Sequence, residues 1–376
     1  MTRERTRRGF LRLGGAVIAA GATGGLAGCG ALGDGGGDGG GSSSTEALNV
    51  VPAEVTSVTY ADVGGMIESD NVTTLLNTTL DLASEQATEE GRDYEGPEDK
   101  EEFLDEMENE SGLDPREMDE AIGFGKTPEV ADGEAEPVEY AATWFTAGWT
   151  EDELVDAVED DGEGTPLGEP DSEEVPRIYP PEDDVSQTYL GVIAEGEYVV
   201  GREDAVEDAI DVSTGDMESV SGDLPDAYGS VQSGLLKAAS TVPDDSVPEE
   251  GVGGDGVELD AELLQQVDGS GFSMYESGED VGMEASVSLA SEDAATDLRD
   301  ILRGAIAGIE QAVQEEDLAA EVDALQNSVE RDGTTVSMSY ENGTETVAEL
   351  METIVDEMES VQPTPDEGQF AVGFPL

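Results

Sequence analysis

The chain has 376 residues, of which 91 are acidic and 15 basic, for a net charge of −76. So anionic a surface excludes direct nucleic-acid binding, which needs cations facing phosphates. With no histidine the chain lacks the commonest proton shuttle and metal ligand of neutral pH, and with one cysteine it forms no intrachain disulfide.

Residues 1–28 read as an export signal. Thr6-Arg7-Arg8-Gly9-Phe10-Leu11 sets two arginines before a bulky apolar pair, and a short Gly/Ala-rich run follows. Leu26-Ala27-Gly28 then places small side chains before Cys29. The apolar run is too short and too rich in glycine for a membrane span of about 20 residues. The first stretch resembles the twin-arginine consensus, with Arg7 and Arg8 as its signal residues. The second resembles a lipobox, which makes Cys29 the lipidation site. Residues 29–47 form a tether, and its stretch GALGDGGGDGGGSSST reaches roughly 20–24 Å as a flexible coil.

Residues 1–28 hold five arginines and one acid, so the rest carries 10 basic and 90 acidic side chains. High charge with low hydrophobicity signals disorder. Here 37% of residues are hydrophobic, and they fall into periodic segments. The composition therefore predicts a folded protein in concentrated salt, where a Debye length of about 3 Å at 1 M screens self-repulsion.

The folded part divides into an N-terminal α+β region (48–242), an acidic linker (243–256) and a C-terminal region (257–376). In the first, 55–63 has strand character and 71–87 is a predicted helix carrying Leu75, Leu76, Leu80 and Leu82. After a polar break come two predicted acidic helices, 100–109 and 116–122. Residues 138–149 are aromatic and β-rich, and Thr150-Glu151-Asp152-Glu153 is a capping box opening a helix with Leu154, Val155 and Val158. A short strand at 177–179 precedes a hairpin, 188–193 and 198–201, turning at Glu195-Gly196. A helix with Val206, Ala209 and Ile210 follows, then another predicted over 226–240.

The C-terminal region has the clearest pattern. Phe272 and Met274, then Met283, Ala285, Val287 and Leu289, alternate with polar residues around Ser277-Gly278, as a hairpin does. Ser291 caps a helix whose stripe runs Leu298, Ile301, Leu302, Ala305, Ile306, Ile309, Val313. Asp332-Gly333 joins a second hairpin through Val336, Met338 and Tyr340. Val347, Leu350, Met351, Ile354, Val355 and Met358 mark a closing helix, and 369–376 is an apolar tail suited to an edge strand. The expected fold class is α+β, with antiparallel hairpins each followed by an amphipathic helix as repeated units.

Motifs for chemistry are sparse. A Ser–His–Asp triad is excluded by composition, and cysteine catalysis by lipidation of Cys29. Ser233 and Lys237 are four apart, one too many for a Ser-x-x-Lys site, and on a helix merely share a face. Acids are so abundant that no glycosidase-like pair stands out. Trp144 and Trp149, five apart on a β-rich stretch, should face opposite ways, with at least one in the core. No calcium loop is present, and a run such as Glu98–Glu102 reads as a solvated face. Met274, Met283 and Met338 read as core rather than copper ligands. Asn71, Asn77, Asn109 and Asn342 each begin an N-x-Ser/Thr sequon, and Asn342-Gly343 is also a surface turn dipeptide.

The paired arginines, the lipobox and the acid-rich hairpin–helix body together resemble haloarchaeal twin-arginine-exported lipoproteins of unknown function. That resemblance implies a protein held to the outer face of the cell membrane through a lipid on Cys29. It implies no catalytic residue and no cofactor. The expectation is a non-enzymatic envelope protein that binds an envelope partner or ligand. A solute-binding lipoprotein of a transporter is the alternative, and a carboxylate hydrolase a distant third.

Overall fold

The structure is a computed structural model that describes residues 46–350, apart from 90–93, 95, 128–129, 132–133, 136–137, 161–165, 183–186, 244–246, 248–251, 255–256, 260 and 313–315. Arg7, Arg8, Cys29, the tether up to Thr45, Val313, most of the 243–256 linker, the closing helix after Leu350 and the apolar tail lie outside the described residues.

A 3-10 turn (Glu46–Val50) leads into β1 (Ser57–Ala61). Helices α1 (Val63–Glu68), α2 (Asp70–Glu89) and α3 (Lys100–Ser111) then precede β2 (Met118–Gly125). A ribbon of β3 (Val130–Ala131) and β4 (Glu134–Ala135) is followed by β5 (Ala141–Ala147) and α4 (Glu151–Asp160). Next come β6 (Arg177–Tyr179), β7 (Tyr189–Ala194), β8 (Glu197–Gly201) and α5 (Glu203–Thr214). The chain continues through α6 (Asp223–Gly229), β9 (Leu236–Ser240) and a ribbon of β10 (Val252–Gly254) and β11 (Val257–Leu259). After α7 (Ala261–Leu264) come the long hairpin β12 (Val267–Ser277) and β13 (Asp280–Leu289), then α8 (Glu292–Ala312) and α9 (Glu316–Ser328). The hairpin β14 (Glu330–Asp332) and β15 (Thr335–Gly343) ends at a helix described from 344 to 350.

Eleven of these strands make one antiparallel sheet, in the order β14-β15-β13-β12-β9-β1-β2-β5-β8-β7-β6. The fold is thus α+β, and both regions share a sheet. The join is β9, which pairs with β1 on one side (Ser57↔Ser240) and β12 on the other (Ser273↔Lys237).

Register assigns the faces. Val58, Tyr60, Ile122, Phe124, Trp144 and Val199 point one way into a core roofed by α5 and α6. The opposite face carries two cores. Phe145, Leu190, Val192 and Tyr198 pack under Leu154 and Val158 of α4, while Val287, Val336, Met338 and Tyr340 pack under α8 and α9. Trp144 and Trp149 lie in different cores on opposite faces, and both are buried.

Local signals held where the chemistry is local. Thr150 N donates to Glu153 Oε2 (2.9 Å) and Glu153 N to Thr150 Oγ1 (3.4 Å), closing the capping box. Ser291 Oγ accepts from Ala294 N (3.2 Å) at the start of α8. The two C-terminal hairpins turn through Gly278 (φ 72) and Gly333 (φ 61), conformations that side chains resist.

Three expectations are corrected. Residues 116–122 are not a helix: after the 3-10 turn Pro115–Glu117 the chain enters β2, where Ile122 and Phe124 alternate into the core opposite Trp144 and Ala142. Residues 226–240 are not one helix either. α6 stops at Gly229, and Leu-Lys-Ala-Ala-Ser, a sequence of weak strand propensity, becomes an interior strand because β1 and β12 hydrogen-bond it from both sides. Asn342 belongs to β15 rather than to a surface turn. Helix α9 was not anticipated at all.

Candidate functional site

Polar chemistry concentrates beneath α6 and the segment 230–235, which cross the centre of the sheet where the two halves meet. The sequence permits this because β12 presents small residues there. A Cβ on Gly271 would lie 2.5 Å from the Ala227 carbonyl oxygen, and one on Gly269 would lie 3.0 Å from the Ala227 Cβ. Gly234 packs more tightly still, with the Met274 carbonyl oxygen 2.1 Å from where its Cβ would be.

Lys237 anchors this cluster. It is 4% exposed, sits opposite Tyr60 on β1 and Ser273 on β12, and donates from Nζ to the Val231 carbonyl (2.8 Å). Its ammonium lies 4.5 Å from the centroid of the Tyr228 ring, a cation–π contact. Burial lowers its pKa, and the Glu284 carboxylate opposes that shift. Glu284 Oε2 in turn accepts from Gln232 N (2.9 Å), so a lysine and a glutamate both hold the crossing segment to the sheet.

Tyrosines extend the cluster along the same face. The Tyr275 ring lies across Gly282, where a Cβ would be 2.1 Å from its Cζ. Its pKa is pushed up to about 12, first by burial and then by Glu341. On the other side of Lys237, burial and the charges of Asp62 and Glu120 push Tyr60 to about 12. Burial raises the Glu120 carboxyl, and its hydrogen bond with Tyr60 works against that shift. The Tyr228 hydroxyl, Ser273 Oγ and Glu341 Oε2 are buried with no hydrogen-bond partner among the described residues.

A buried lysine of lowered pKa beside a serine has the composition of a nucleophilic dyad. The geometry denies it substrate: Ser273 is 0% exposed, beneath a segment pinned by two hydrogen bonds. What the arrangement does chemically is fasten one half of the protein to the other. Ser233, the serine that spacing had set beside Lys237, is exposed ahead of β9, and the two do not share a helical face.

The remaining sequence candidates fall elsewhere. Met274 and Met283 face each other across β12 and β13, and Met338 lies in the core under α8 and α9, as packing requires. Glu98–Glu102 starts α3: Asp99 Oδ1 caps Glu102 N (2.9 Å), and Lys100 Nζ donates to the Ile67 carbonyl and Thr73 Oγ1 (both 2.6 Å). Among the described residues no group of three or more acidic, cysteine or histidine side chains is placed to hold a metal ion.

The sequons have distinct surroundings. Asn71 Nδ2 donates to Glu276 Oε1 (2.9 Å) and the Gly278 carbonyl (3.4 Å), and its Oδ1 accepts from Thr344 Oγ1 (2.7 Å). Asn342 Nδ2 donates to Glu321 Oε2 (2.8 Å) and the Tyr340 hydroxyl (2.9 Å). Asn77 Oδ1 accepts from Lys100 N (2.9 Å). Asn109 is exposed, and its Nδ2 donates to the Asp105 carbonyl of its own helix (2.7 Å).

Sequence reasoning missed the Lys237 cluster because it treated 226–240 as one helix. The signal available was Ser233-Gly234, a break inside that segment.

No protein-family model matches the sequence, and no curated protein matches it. Among solved structures, crystal form III of TP0453 is similar at 8% identity and a TM-score of 0.42, over 81% of this chain and 97% of that one. Crystal form I of TP0453 gives 9% identity and a TM-score of 0.38, over 82% and 96%. Likeness of this degree carries no functional argument.

Proposed function

We propose that the protein is a non-enzymatic envelope lipoprotein, tethered through Cys29 to the outer face of the cell membrane and adapted to concentrated salt. The observation that carries this reading is the N-terminal order of Arg7-Arg8, a short apolar run and Leu26-Ala27-Gly28-Cys29, followed by a glycine-rich tether. Two features of the body agree with it. The polar cluster most suited to chemistry is closed and holds the fold together. The body is one continuous antiparallel sheet rather than the two parallel α/β lobes expected of a solute-binding protein, which favours a scaffold or partner-binding role.

Cys29→Ser is expected to move the protein from the membrane fraction to the medium. A variant that remains membrane-bound would show the anchoring assignment to be wrong. In-cell cross-linking and mass spectrometry would then identify the partner: envelope proteins support the scaffold role, whereas a permease supports the transporter alternative.

The hairpin–helix units extend to an internal duplication. Outward from the β1–β9 pair the strands run β1-β2-β5-β8-β7 on one side and β9-β12-β13-β15-β14 on the other. In each half three strands add in sequence, helices intervene, and a later hairpin joins by its second strand and is followed by a helix. This supports two copies of one unit related by a two-fold axis between β1 and β9. A crystal structure in which the halves fail to superpose by a rotation near 180° would rule it out.

A further inference from the structure

We infer that Asn109 is the sequon that carries an N-linked oligosaccharide in the folded protein, an assignment that rests on the extracytoplasmic location proposed above. A glycosidic bond replaces one hydrogen of the asparagine Nδ2 and requires space around it. At Asn342 the two Nδ2 donations, to Glu321 and Tyr340, occupy the amide. Its sequon hydroxyl, Thr344, is 7% exposed and donates to Asn71 Oδ1. The sequons of Asn71 and Asn342 therefore close on each other, tying the start of α2 to the β12–β13 turn through Glu276 and Gly278. The sequon hydroxyl at Thr73 is engaged as well, donating to the Ser69 carbonyl (2.7 Å) and accepting from Lys100 Nζ. A sugar at either position would break contacts between elements far apart in sequence.

Asn77 is half-buried and ties α2 to the first residue of α3. Asn109 differs from all three: it is exposed, in the last turn of α3, and among the described residues bonded only within its own helix. One amide hydrogen keeps the Asp105 bond while the other is available for the sugar. The chain leaves the helix at Gly112 (φ 78), so the sequon lies where α3 already ends. Freeing the Ser111 hydroxyl for transfer costs its back-bond to the Met107 carbonyl (2.7 Å) and its contacts at Leu113.

The test uses the full-length protein, purified in molar salt from a salt-grown archaeal host that N-glycosylates its surface proteins. Glycopeptide mass spectrometry should find sugar on the peptide containing Asn109 and none on those containing Asn71 or Asn342. Asn109→Gln should abolish that signal, as should Ser111→Ala, which keeps the asparagine. Protease treatment of intact cells runs in parallel. A protein that the protease digests but whose Asn109 is bare overturns the assignment while leaving the location intact; sugar on Asn71 or Asn342 overturns it too. A protein shielded inside the cell overturns both.

Discussion

Dialysis from molar salt into dilute buffer is expected to unfold the protein. The chain carries 91 acids against 15 bases, so ion pairing neutralises only a small share of its charge. Arg116 illustrates the shortage: one guanidinium lies within 4 Å of Glu101, Asp105, Glu108 and Asp114, and its pKa is raised, above all by the hydrogen bond with Asp105. The remaining repulsion is screened over about 3 Å at 1 M salt but over about 10 Å at 0.1 M, a distance spanning several neighbouring side chains.

Half-buried carboxylates meet the shortage of cations by another route, taking neutral donors. The Tyr140 hydroxyl donates to Asp208 (2.7 Å), Tyr340 to Glu321 (2.9 Å), and Trp144 Nε1 to Glu197 (3.1 Å). Those bonds are short-ranged and change little with ionic strength, so the loss on dilution should come from the surface. Circular dichroism and light scattering across a potassium chloride series would show a cooperative loss of structure as salt falls. A compact, cooperatively melting protein at about 0.1 M salt would contradict this account.

Gly271→Val should be severely damaging at the junction of the two halves. The backbone fixes the new Cβ, which would meet the Ala227 carbonyl oxygen at 2.5 Å and Ser230 Oγ at 3.0 Å. Relief requires α6 to lift from β12, and with it the segment that Lys237 and Glu284 hold down. A loss of about 4 kcal/mol or more is expected, in line with overpacking that also breaks a buried polar network. Gly304→Ala is the contrasting control. That glycine lies within α8 with nothing within 4 Å of an added Cβ, so alanine should gain about 1 kcal/mol of helix stability. Thermal unfolding of both variants in molar salt measures the pair. An unchanged midpoint for Gly271→Val would show that α6 does not pack on β12 as described.

The corrected elements show where reading by pattern stopped. In 116–122 the apolar Met118 and Ile122 are four apart, which suits a helix. The decisive partners, Tyr60 and Trp144, are 62 residues before and 22 after Ile122 in register and are invisible to a local window. In 226–240 the run Leu-Leu-Lys-Ala-Ala favours a helix by propensity. It becomes a strand because β1 and β12 supply hydrogen bonds on both edges, and Lys237 is buried because Val231 and Tyr228 receive its ammonium.

The amino-acid sequence by itself determined the α+β class, the hairpins turning at Gly278 and Gly333, the capped starts of α4 and α8 and the acidic surface. Each depends on side-chain period, turn chemistry or composition, which act over a few residues or over none in particular. Only the tertiary structure decided that both regions share one sheet, that β9 joins them, and that the sequons of Asn71 and Asn342 are bonded to each other. Those outcomes depend on which distant segments pair, and hydrogen bonds between strands 183 residues apart, as at Ser57 and Ser240, leave no periodic trace in either one.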